Sequence, residues 1–151
     1  SEEKYLVYDS TNFWMSRLHH LALKTSTSGL KRFDITPSQW NVLIPIYRGS
    51  ITTTCAIAKH LGKDKGAISM TIGLLEKKGL VKRRLDRKVQ EDRRSYKIYI
   101  TEKGKALVPE IIKAAKLADQ LFFLGLDNED IYLFKAVINK LLRNFEINHY
   151  V

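Results

Sequence analysis

Arg87, Lys88, Arg93 and Arg94 stand in one run of this 151-residue chain, Asp86-Arg87-Lys88-Val89-Gln90-Glu91-Asp92-Arg93-Arg94. Cations at that density suit the neutralisation of phosphate and hydrogen bonding in the grooves of a duplex. Asp92 repels phosphate, so its sensible duty is to orient a neighbouring arginine through a charge-assisted hydrogen bond. The plainer alternative, a surface ion pair, contributes little. Upstream, Lys65 and Ser69 are candidates for phosphate or base-edge contact, with Gly66 and Ala67 permitting close approach. From Lys59 to Lys105 there are 15 Lys/Arg against 6 Asp/Glu, so this segment holds +9 of the net +10. A charge run is usually only a solvated exterior. Here it coincides with one helix-and-hairpin unit, which favours a polyanionic partner.

Other chemistries find little support. The chain has no phosphate-cradling glycine loop, no zinc-protease signature and no nucleophile at a recognisable spacing from paired histidines. An enzyme is not expected. Cys55 is the only cysteine, which excludes an internal disulfide and a cysteine-rich zinc site. His19 and His20 are adjacent, hence about 100° apart on a helix, and His60 and His149 complete the set. Neither metal nor cofactor is expected. No apolar run approaches the ~18–20 residues of a bilayer span, and Ser-Glu-Glu-Lys-Tyr does not resemble a signal peptide. A membrane-surface role would want the charge on a long amphipathic helix. The expectation is a cytoplasmic protein, and 44% hydrophobic with 28% charged residues is an ordinary globular composition.

The elements that must position these residues can be read from caps and periodicity. A first helix is expected over residues 4–25, with Trp14, Leu18 and Leu21 on one stripe and Thr25-Ser26-Thr27-Ser28-Gly29 breaking it. Thr36-Pro37-Ser38-Gln39 is a capping box with proline in the first turn, opening a helix that carries Trp40, Leu43, Ile44 and Tyr47. A short strand at Ile51 and a third helix from Thr54 to His60 follow, with Ile57, Ala58 and Leu61 inward. Asp64 caps a fourth helix and Gly79 closes it. Its buried stripe is Ile68, Ile72 and Leu75, leaving Lys65, Gly66, Ser69, Met70 and Gly73 outward. Strands are expected at residues 80–85 and 95–100, flanking the basic run. Thr101 caps a fifth helix (Leu107, Ile111, Ala114, Ala118, Leu121), with a kink near Leu107 from Pro109. Asp127 caps a sixth (Ile131, Phe134, Ile138, Leu141, Phe145). Such near-heptad stripes suit helix-on-helix packing, within one chain or between two. The resulting fold class is mainly α with a small β-hairpin wing. It is one domain over 1–151, in which a winged helix-turn-helix lobe (33–100) is flanked by N- and C-terminal dimerisation helices (1–28 and 101–151).

Over positions 33 to 108 the residues resemble the MarR family of bacterial transcriptional regulators. Asp92-Arg93-Arg94-Ser95-Tyr96-Lys97-Ile98-Tyr99-Ile100-Thr101-Glu102-Lys103-Gly104 is similar to the family's wing signature, an Asp-x-Arg pair before a strand ending Leu-Thr-x-x-Gly. Ile100 replaces the usual leucine. Leu75-Glu76-Lys77-Lys78-Gly79-Leu80-Val81 is similar to the end of the family's recognition helix, and Ile57-Ala58 stands for the usual Leu-Ala. The resemblance implies a homodimer on a pseudo-palindromic operator in double-stranded DNA, often repressing and often released by a small ligand. Arg94, with Arg93 beside it, would then enter the narrow minor groove, and Arg87 and Lys88 would contact phosphate. The alternative is a non-specific architectural or RNA-binding winged-helix protein.

Met70 departs from the family, which commonly has arginine or another polar reader there. It would touch a thymine methyl or pack on the neighbouring helix. Gly73 suggests close backbone packing. For a phenolic or aromatic carboxylate effector, the resemblance points to Trp14, Arg17, Trp40 and Tyr47, although core packing accounts equally for the aromatics, and more readily for Trp40. Cys55 reads as a small semi-buried apolar residue. The alternative is a thiol activated by a helix N-terminus, though the oxidant-sensing relatives considered carry their cysteine on the first helix.

Overall fold

Most elements begin or end on a cap that the sequence spells out. The computed structural model describes residues 10–85 and 96–148. Its helices are α1 (Thr11–Leu30), α2 (Pro37–Arg48), α3 (Thr54–Leu61), α4 (Lys65–Lys77), α5 (Glu102–Phe122) and α6 (Asn128–Asn148). The strands are β1 (Val81–Leu85) and β2 (Tyr96–Ile100), and a 3-10 turn spans Lys31–Phe33. The capping box is complete: the Thr36 hydroxyl accepts from Gln39 N–H at 3.2 Å, and Gln39 Oε1 accepts from Thr36 N–H at 3.2 Å. Asp64 accepts from the N–H groups of Gly66 and Ala67 at 2.9 and 3.2 Å. At the far end of α4, Gly79 takes φ +72, and the Leu80 and Gly79 N–H groups return to the carbonyls of Leu75 and Glu76. That is the paired bonding of a Schellman turn, in which glycine tolerates the left-handed backbone.

α1 corrects the expected boundary. Positions 4–9 lie outside the described residues, and the helix does not break at Thr25 but continues to Leu30. The Thr25 and Ser26 hydroxyls, instead of nucleating a turn, donate back to the carbonyls of Leu21, Ala22 and Leu23. Gly29 lies against α5, where a Cβ would meet the Ala114 carbonyl oxygen at 3.4 Å and Ala118 Cβ at 3.5 Å. Tertiary packing on small residues overrides a turn-forming composition.

The core joins α2, α3, α4, the hairpin and α5. Leu43, Ile57, Ile72, Leu75, Ile98, Val108 and Ile111 are all fully buried. On α5 the inward stripe uses Val108 with Ile111, Ala114 and Ala118; Leu107 is half-buried and Leu121 is exposed. α5 runs on through Pro109, whose ring costs it the bond to the Lys105 carbonyl. β1 and β2 pair antiparallel in the register Val81–Ile100 to Leu85–Tyr96. The strand expected at Ile51 reduces to a single bridge between Thr53 and Lys97, beside an Ile98 N–H to Thr52 carbonyl bond of 2.7 Å. α6 packs little on the other described elements. Its Ile131, Phe134 and Ile138 are half-buried, while Leu141 and Phe145 stay exposed.

Two helical glycines separate steric need from mere tolerance. A Cβ on Gly104 would stand 2.4 Å from the Leu80 carbonyl oxygen and 2.6 Å from Ile100 Cδ1. On Gly73 it would meet only Arg83 Nη2, at 3.7 Å, an ordinary contact rather than the close backbone packing expected. Gly104→Ala is therefore expected to destabilise the fold by about 1–3 kcal/mol through overpacking. Gly73→Ala is expected to stabilise it by ~0.5–1 kcal/mol through helix propensity. Thermal or urea unfolding of the two variants checks both signs.

Candidate nucleic-acid interface

α4 presents one face to the core and leaves another to solvent. Lys65, Gly66 and Ala67 are exposed, Ser69 is half-buried, and Met70 is 72% exposed. Met70 therefore does not pack on a neighbouring helix, and its thioether stands in solvent. Because the Asp64 carboxylate already occupies the Gly66 and Ala67 N–H groups, the first turn is neutralised locally. Lys65 is the exposed cation in that first turn.

Two brackets hold this face at a fixed angle. At the end of α4, Lys78 Nζ donates to Gln39 Oε1 at 3.0 Å and to the Asp34 carbonyl, with the Asp34 carboxylate 3.4 Å away. Asp34 itself takes a left-handed φ of 53. Across the middle of α4, the Arg83 guanidinium lies over Gly73 and its Nη2 donates to the Ser69 carbonyl at 2.8 Å. The Arg83 N–H donates to Glu76 at 3.2 Å, and its buried Nε has no partner among the described residues. Arg83 was not among the residues singled out from sequence. Its position becomes legible once the strand register sets it on the same face as buried Ile98.

The remaining expected residues divide into three groups. Arg87, Lys88, Asp92, Arg93 and Arg94 lie outside the described residues. Trp40 and Tyr47 are half-buried against the core, whereas Trp14 is 57% exposed beside Phe13, with ring centres 5.3 Å apart. Arg17 lies over the same Phe13 ring at 5.8 Å. A separate cleft of about 460 Å³ runs between α1 and α5, and none of these four residues lines it; Lys24, Arg32 and Leu117 do. Cys55 is exposed rather than semi-buried, because it lies on the solvent side of α3 while Ile57 and Ala58 turn inward. Among the described residues, no group of three or more His, Cys, Asp or Glu could hold a metal ion. No described helix is long and apolar enough to cross a membrane.

The sequence profile of the MarR family matches residues 33–95, which run from the end of the 3-10 turn to the residue before β2. An HTH-type transcriptional regulator of Bacillus cereus is 30% identical over 105 residues, 70% of this chain and 67% of that protein. Among solved structures, the Staphylococcus aureus MepR–DNA complex superposes with a TM-score of 0.77 and 25% identity, covering 89% of this chain and 98% of that one. Bordetella bronchiseptica BpsR, whose DNA binding is regulated by 6-hydroxynicotinic acid, superposes with a TM-score of 0.81 at 20% identity, covering 91% and 96%. With its capped α4, paired hairpin and Thr101-to-Gly104 junction, the chain belongs to the MarR family of DNA-binding, winged-helix transcriptional regulators.

Proposed function

We propose that this regulator acts as a homodimer on a pseudo-palindromic operator and represses transcription from a nearby promoter in the cytoplasm. Residues 33–100 form the DNA lobe, and the terminal helices (1–28 and 101–151) form the dimerisation region. The observation that carries the reading is the exposed face of α4, clamped by Lys78 and Arg83 within a segment that holds nearly all the net charge. Lys65 and Ser69 contact phosphate or base edges, Gly66 and Ala67 allow the backbone close, and Met70 meets a thymine methyl. Arg93 and Arg94, oriented by Asp92, enter the minor groove, while Arg87 and Lys88 take phosphates. Leu121, Leu133, Leu141 and Phe145 are exposed on α5 and α6, which supports burial against a second copy. A two-fold dimer then sets its recognition helices about one turn of DNA, ~34–36 Å, or a multiple apart.

A phenolic or aromatic carboxylate effector completes the proposal. Its support is the BpsR likeness together with Trp14, Arg17, Trp40 and Tyr47 on α1 and α2. The competing account, an architectural or RNA-binding protein, separates on competition. A duplex selected from a random library should outcompete bulk DNA by ~10³ or more at physiological salt. Arg94→Ala should weaken that complex by about 1–3 kcal/mol while the dimer persists. Equal affinity for all duplexes would leave the architectural account, and an unaltered Arg94→Ala complex would remove the wing assignment. In a panel of aromatic carboxylates, at least one should raise the melting temperature and lower DNA affinity. A panel that changes neither argues against an effector of this class.

A further inference from the structure

Strand alternation gives the hairpin two chemically different faces. Ile98 and Arg83 share the inward one, whereas Lys82, Arg84, Lys97 and Tyr99 stand on the other. The register sets Lys82 opposite Tyr99 and Arg84 directly opposite Lys97. Like charges facing each other across a ladder destabilise it. The two cations do not splay apart. Arg84 Cζ lies 5.4 Å and Lys97 Nζ 5.5 Å from the centre of the Tyr99 ring. The ring's attraction for cations offsets part of the repulsion, and it also holds both charges on one small patch. The ion pairs among the described residues, Lys78–Asp34, Lys105–Glu102 and Lys113–Glu110, lie elsewhere. No carboxylate in them relieves the patch.

The patch is also rigidly placed. The bridge from Thr53 to Lys97 and the Ile98 bond to Thr52 tie the outer edge of β2 to the start of α3. Its position is therefore set by the helix-turn-helix rather than by the run 86–95. A standing repulsion on a fixed surface is relieved when an anion arrives, and a flat array of guanidinium and ammonium groups carries no base-specific geometry.

We propose that Lys82, Arg84 and Lys97, gathered around Tyr99, form a separate contact to the phosphodiester backbone of duplex DNA. This surface grips phosphates beyond those reached by α4 and by Arg87 to Arg94. The proposal rests on the DNA-binding reading above. It gives the wing a sequence-independent anchor and explains why the hairpin retains opposed like charges.

The test is the double variant Arg84→Gln/Lys97→Gln in the full chain, titrated with salt on a long mixed-sequence duplex and on a library-selected site. The slope of log affinity against log salt should become shallower by about 0.9 for each cation removed per protomer. The preference for the selected site should stay as in the wild type, because phosphate contacts carry no sequence information. The free variant should melt above the wild type, since the opposed charges are gone. An unchanged slope in a folded variant overturns the proposal. So does a loss confined to the selected site, or lost RNA binding with duplex binding intact. If the double variant fails to fold, Lys82→Gln alone should show the shallower slope, and a wild-type slope there overturns the proposal. Wild-type protein that binds no duplex even in dilute buffer removes the DNA-binding reading itself, an outcome seen before any variant is measured.

Discussion

Three consecutive backbone carbonyls, those of Lys78, Gly79 and Leu80, govern how the rest of the lobe is joined. They follow the last turn of α4, where a helix cannot satisfy its own acceptors. Their donors come from the other side of the hairpin. Lys103 Nζ donates to the Lys78 carbonyl at 2.8 Å, the Thr101 hydroxyl to Gly79, and the Thr101 N–H to Leu80 at 3.0 Å. Thr101 also accepts from Gly104 N–H at 3.1 Å and so starts α5. One residue thus ends the hairpin, caps a helix and seats that helix on the end of α4. The approach is close enough that position 104 has no room for a side chain.

The same turn is tied in the opposite direction by the Lys78 side chain. Gln39 is the buried polar residue among the described residues of the core, and its Oε1 accepts both from Thr36 N–H and from Lys78. A buried amide oxygen with two donors carries little desolvation penalty. The bond therefore orients α2 against α4 without weakening the core between them. Packing of Ile68, Ile72 and Leu75 sets the distance of α4 from the lobe, whereas Lys78 and Arg83 set its rotation. Rotation decides which side chains face a groove, so these polar contacts matter to recognition more than their modest energies suggest.

What could be read from the chain was local, and what could not was decided by partners distant in sequence. Thr36 to Gln39, Asp64, Gly79 and Thr101 are caps whose chemistry lies within a few residues, and all sit where expected. The outer ends of the hairpin were legible to within one residue, and its inner ends border residues 86–95, outside the described residues. The extension of α1 past Thr25 was not, because it depends on Ala114 and Ala118 receiving Gly29. Arg83 looked like one more cation of a basic run until the register turned it inward. The strand alternation that would have separated it from Lys82 and Arg84 is only five residues long. Cys55 follows the same logic: on a helix of eight residues, one position decides between core and solvent.

These contacts bear on how a regulator of this build transmits a signal. α1 and α5 come closest at Gly29, Ala114 and Ala118, beside the cleft lined by Lys24, Arg32 and Leu117. At its other end α5 meets the turn after α4 through the Thr101 N–H and hydroxyl, the Lys103 ammonium and the close approach of Gly104 to the Leu80 carbonyl. Close-packed junctions pass displacement on rather than absorbing it. A shift of α5 would therefore be felt at the end of α4 through the close contact between Gly104 and the Leu80 carbonyl.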